Sequence, residues 1–151
     1  MKKKMILCFG LVTVLVIFLS GCGKDTQENS YKQGETFSFM GLNLTVEEEY
    51  FFADGIGGKT LIKIPMKIEN TSNRMNKLKE TYISVNGPSG SNIKTDGGMM
   101  KKDGITQAED LREGEFYTKY LYVDYAQDGI YTLVFNDFTS SSIKVEVNIA
   151  K

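Results

Sequence analysis

The residues able to do chemistry are few and one-sided. The 151-residue chain has no histidine and only two cysteines, Cys8 and Cys22. That removes the side chain that most often acts as general base near neutral pH, and the commonest zinc ligands with it. Carboxylates, hydroxyls and lysines remain. Glu47, Glu48 and Glu49 are consecutive; on a strand they alternate between faces, so they read as a solvated strand surface and not as an acid/base pair. Asp54, Asp96, Asp103 and Asp110 fall in or near loops without the alternating spacing that supplies calcium oxygens. No cofactor or metal is expected.

Cys22 has the most specific setting. Lys2, Lys3 and Lys4 precede an apolar run from Met5 to Phe18, and Leu19-Ser20-Gly21-Cys22 closes it. This is the layout of an export signal. The last four residues resemble the bacterial lipobox, which implies diacylglycerol on the Cys22 thiol and cleavage between Gly21 and Cys22. A diacylated cysteine would hold stably to a membrane, since each buried methylene contributes about 0.8 kcal/mol. Cys8 leaves with the signal, so the mature chain keeps no thiol for a disulfide.

Loss of residues 1–21 takes three of the 18 basic residues and none of the 19 acidic ones, so the formal charge falls from −1 to −4. Nucleic acid and anionic lipid are thereby disfavoured as the main partner. The remaining 130 residues suit one buried core. Residues 22–33 are polar and aperiodic and are expected to form a flexible tether; residues 34–151 are expected to form the domain.

The domain reads as strands separated by turns. Thr36 to Met40 and Leu42 to Phe52 give the first two. In Lys59 to Asn70, Ile62, Ile64, Met66 and Ile68 share one face, which predicts a half-buried strand. Pro65 cannot donate a ladder bond and predicts an edge or a bulge there. Tyr82 to Asn86 and Asn92 to Thr95 flank Gly87-Pro88-Ser89-Gly90 as a hairpin. Asp96 to Gly114 reads as the longest loop. Glu115 to Tyr125, Ile130 to Asn136 and the alternating Ile143, Val145, Val147, Ile149 complete an all-β sandwich of seven or eight strands.

Over residues 34–150 the order of motifs resembles the immunoglobulin-like extracellular domains of bacterial lipoproteins of the DUF4352 type, and is similar to a secreted mycobacterial antigen domain. The resemblance rests on Gly34-Glu35-Thr36, on Gly41 to Val46, and on Lys67-Ile68-Glu69-Asn70-Thr71-Ser72. It also rests on Leu111-Arg112-Glu113-Gly114-Glu115 leading to Leu121-Tyr122-Val123. Glu113 stands where a proline is common in such domains. The resemblance implies a two-sheet immunoglobulin-like sandwich and supplies no reaction.

Two groups could make a contact surface. Tyr117, Tyr120, Tyr122, Tyr125 and Tyr131 cluster late in the chain, and tyrosine offers large contact area with a polar tip. On an ideal strand Tyr117 faces opposite Tyr120 and Tyr122, so one set is core and the other exposed. Met99 and Met100 sit beside Lys94, Lys101 and Lys102 in the long loop, where thioethers adapt to partners. The expectation is a non-enzymatic, membrane-anchored extracytoplasmic module that binds an envelope protein or peptide through Tyr117, Tyr120, Tyr122, Met99 and Met100. An immunity lipoprotein against a toxin peptide, or a structural subunit of an envelope or conjugation assembly, is the alternative; a carboxylate-based hydrolase is the weakest.

Overall fold

The computed structural model describes residues 28–139 and 141–151; Gly21, Cys22 and the signal segment lie outside them. The described chain is a β-sandwich. One sheet places β1 (Glu28–Lys32), β10 (Ser142–Ile149), β9 (Gly129–Asn136), β6 (Ile83–Asn86) and β7 (Asn92–Ile93) side by side in that order. The other contains β2 (Thr36–Phe39), β3 (Leu42–Val46), β4 (Phe51–Asp54), β5 (Thr60–Asn70) and β8 (Phe116–Asp124).

The inner faces follow the alternation in the sequence. Ile62, Ile64, Met66 and Ile68 of β5 are fully buried, as are Leu44 and Val46 of β3, Tyr131, Leu133 and Phe135 of β9, and Val145 and Val147 of β10. Each such aliphatic side chain contributes about 1.5–3 kcal/mol on leaving water, which fixes the register. The hairpin around Pro88 is present, with Val85 opposite Ile93. Asn70 is buried but fully used: its side-chain amide donates to the carbonyls of Arg74 and Leu111 at 2.6 and 2.8 Å, and its Oδ1 accepts from Ser72. One asparagine thus ties two loops to the end of β5.

Among the described residues there are ten strands, several of them short, where seven or eight are expected, and three local readings change. Residues 28–32, expected in the tether, form β1 parallel to β10. Their polarity concealed this because the strand is held by its backbone ladder, with the Tyr31 ring packed 5.2 Å from Phe37. The stretch from Asp96 to Gly114 is not a plain loop: it holds α1 (Gly97–Lys102) and a 3-10 turn, Ile105–Gln107. Asp96 caps α1 by accepting from the Met99 N–H at 2.9 Å, and buried Met100 fastens the helix to the sandwich.

Pro65 gives the third change. β5 is neither an edge nor bulged there. It lies centrally, with β8 along Leu61–Glu69 on one side and two shorter strands on the other: β3 against Met66–Asn70 and β4 against Thr60–Lys63. The expected continuous strand from Leu42 to Phe52 is therefore split at 47–50.

Candidate functional site

The split is explained by the proline. In an extended strand a residue's N–H and C=O point the same way, and the Pro65 carbonyl accepts from the Glu47 N–H at 3.0 Å. The missing Pro65 donor thus faces the β3/β4 side, where a continuous partner would leave a carbonyl unmet. The chain departs from the sheet at Glu47 and returns at Phe51, opposite Lys63. A groove of about 610 Å³ opens there, lined by Glu47, Glu48, Glu49, Phe51, Pro65 and Tyr120.

Two residues pin the displaced segment. The Gln33 side-chain amide donates to the carbonyls of Glu47 and Glu48 at 3.1 and 3.4 Å. Gly34 takes φ +81°, donates its N–H to Val46 at 2.7 Å, and lies under the Glu48 side chain; a Cβ there would stand 2.9 Å from Glu48 Oε1. Positive φ and close approach both demand glycine. Among the described residues no lysine or arginine forms an ion pair with Glu47, Glu48 or Glu49. Phe51 beside them is 49% exposed.

The far wall is a charged aromatic network. Register sets Pro65 opposite Tyr120 and Lys63 opposite Tyr122. Lys63 Nζ sits 3.8 Å from the Tyr120 ring centroid and 3.0 Å from Asp103 Oδ2, while the Tyr122 hydroxyl donates to Asp103 Oδ1 at 2.6 Å. Burial opposes the charge on both Lys63 and Asp103. The hydrogen bonds outweigh it: those to Tyr122 and Asp103 leave the Lys63 ammonium raised above its usual value, and those from Tyr122 and Lys63 leave the Asp103 carboxyl lowered. Burial and the bond to Asp103 raise the Tyr122 hydroxyl. Asp103 is the residue that ends α1, so this network clamps the helix over the sheet.

The expected tyrosine and methionine surface does not exist as one face. Tyr122 is 1% exposed and Met100 is fully buried; the Tyr122 N–H points at Met100 Sδ, 3.4 Å away. Residues 94–104 cover the open edge of β8, with Asp96 N–H donating to the Tyr122 carbonyl and Asp124 N–H to that of Lys94. Met99 is half-buried against the core. Tyr117 turns inward, and among the described residues no group completes a hydrogen bond with its hydroxyl. Burial pushes that hydroxyl up to about 12, with the Leu78 backbone amide offsetting part of the effect and Asp110 adding to it. Only Tyr120 of the five faces the groove.

Sequence reading passed over Phe51 and Lys63, and placed Glu47 to Glu49 on a strand. The available signal was Pro65, a lone proline inside the best alternation in the chain. Among the described residues no group of three His, Cys, Asp or Glu could hold a metal ion, and no helix is long and apolar enough to cross a membrane.

No family model matches the chain, and no curated protein matches it by sequence. Solved structures do match in shape. The yjhA protein of Bacillus subtilis superposes with a TM-score of 0.60 at 20% identity, covering 78% of this chain and 99% of that one. A secreted protein of Mycobacterium tuberculosis, MPT63, gives 0.55 at 11% identity, over 80% and 96% of the two chains. A candidate lipoprotein from Staphylococcus aureus gives 0.54 at 14% identity, over 76% and 89%. At such identities the likeness is one of fold, and the fold shared is a two-sheet β-sandwich.

Proposed function

We propose that the chain is an extracytoplasmic lipoprotein, anchored through Cys22, whose sandwich acts without catalysis and binds a lysine- or arginine-bearing segment of an envelope protein or peptide. The observation that carries this reading is the groove at Pro65, where three carboxylates without ion-pair partners among the described residues stand beside the exposed ring of Phe51 and the ring of Tyr120. Carboxylates pair with ammonium and guanidinium groups, and aromatic faces attract the same cations. Lys63 over Tyr120 is an internal example of the contact. The formal charge of −4 expected after signal removal steers cations toward the domain.

Calorimetric titration of the detergent-purified protein with a lysine/arginine-rich peptide and with its acidic counterpart tests this. The basic peptide should bind, weaken with salt, and lose at least tenfold in affinity when Glu48→Gln and Glu49→Gln are combined. Equal binding of both peptides, or indifference to the double substitution, would remove the reading. The immunity alternative is a special case in which the basic peptide is a toxin. Cells lacking the protein should then become sensitive to one defined cationic peptide, and unchanged sensitivity across a panel would dismiss it.

A further inference from the structure

The geometry points to a second surface: we propose that the end of the sandwich at which the chain joins the fold rests on the lipid bilayer, with Phe138, Met75 and Met40 entering the interface. This rests on the anchoring of Cys22. β1 runs parallel to β10 with Glu28 opposite Ser142, so the chain meets the sheet at the β9–β10 turn. Phe138 in that turn is 73% exposed and is held at φ +64° by its N–H bond to Asn136 Oδ1 at 2.7 Å. A bulky residue in the left-handed region costs energy, and contact with Tyr82 alone leaves most of the Phe138 ring in solvent.

The apolar end extends beyond one residue. Tyr82 packs 5.8 Å from Phe138 and 6.0 Å from Phe39, which precedes exposed Met40. The Asn76 side chain donates to the Met40 carbonyl at 2.7 Å and brings Met75, 65% exposed, to the same end. A groove of about 340 Å³ runs between them past Lys77, Lys79 and Tyr82. Asp110 pairs with Lys77 at 3.4 Å, whereas Arg74 and Lys79 have no ion-pair partner among the described residues. Those two cations would face anionic headgroups.

The length of chain outside the structure decides the occupant. Five residues lie between Cys22 and Glu28, so six residue-to-residue steps join them. At 3.3–3.6 Å each they reach roughly 20 Å when fully extended, and about 13 Å as a flexible coil. This end therefore stays within about 20 Å of the anchor, close enough to touch the headgroups, and the opposite end, where Gly129 meets Ile149, points away from it. A lipid surface is the partner that the anchor itself supplies.

The chain has no tryptophan, so single reporters can be installed. Full-length protein purified from membranes would carry Phe138→Trp, Met75→Trp or, toward the far end, Ile130→Trp, and be reconstituted in phosphatidylglycerol/phosphatidylethanolamine vesicles with brominated acyl chains. Circular dichroism checks each fold, and two reporters guard against one misfolding. Tryptophan at 138 and 75 should be quenched at least twofold and tryptophan at 130 should not. Equal quenching at all three, or none while the protein floats with vesicles, would overturn docking and leave the anchor standing. Protein that fails to float, with unmodified Cys22 by mass spectrometry, would overturn both.

Discussion

The Glu47 N–H donates to the Pro65 carbonyl at 3.0 Å, and at this bond the ladder between β3 and β5 ends. The next contact along the same side of β5 is Phe51 against Lys63. A groove between two collinear strands is thus set by a single backbone donor that proline lacks.

Pro65→Ala restores an N–H aimed at the gap from a buried position, where the Glu47 carbonyl already accepts from the Gln33 side chain. An unmet buried donor costs about 1–3 kcal/mol. Urea unfolding should show a loss of that size with the strand content retained, and affinity for a basic peptide should fall if residues 47–50 close over the new donor. Unchanged stability together with unchanged peptide affinity would show that proline does not cause the split.

Asp103 joins Lys63 and Tyr122 through two oxygens. Its side chain is 42% exposed, so the charge is screened and Asp103→Asn should cost about 1 kcal/mol at neutral pH. The carboxyl is lowered from 3.8 in the folded protein. Its contribution is therefore complete above that unfolded value and disappears as pH falls through the lower folded one. Stability measured from pH 6 downward should show a shallower acid decline in Asp103→Asn than in the parent.

Met100 and Met99 are neighbours with different fates. Met100→Ala empties a fully buried site and should cost about 2–5 kcal/mol, whereas Met99→Ala, half-buried, should cost clearly less. Thermal unfolding of the two variants decides it. Equal small losses would mean that α1 does not belong to the core.

Tyr117 carries a buried hydroxyl without a completed hydrogen bond. Removing an unmet polar group relieves its desolvation, so Tyr117→Phe should leave stability unchanged or raise it by about 1 kcal/mol. The hydroxyl stands at about 12 in the folded state against 10.0 ordinarily. The unfolded chain ionises first, so the parent loses stability as pH rises from 10 toward 12. Alkaline unfolding of the phenylalanine variant should lack that component.

Side-chain alternation made the strands legible. Ile62 to Ile68, Tyr131 to Phe135 and Val145 to Val147 stand two apart because one sheet face is core and the other wet, and all of them are buried. β1 was not legible, since Glu28-Asn29-Ser30-Tyr31-Lys32 is held through its backbone, which any side chain permits. α1 was hidden for a related reason: Gly97 and Gly98 are poor helix formers, and six residues cannot sustain a helix alone. Capping by Asp96 and the burial of Met100 against β8 supply what propensity lacks.

The sequence by itself determined a two-faced β chain, because hydrophobic period is a local property. It also carried the one irregularity that matters, a proline inside an alternating strand. What that irregularity does was decided only in three dimensions. Whether Pro65 lies at an edge or in the centre depends on which strands fold back beside it, and those pairings join residues far apart in the chain. Tyr122 became core and Tyr120 groove wall for the same reason: both project from one face of β8, and only the packing of α1, delivered from residues 97–102, separates them.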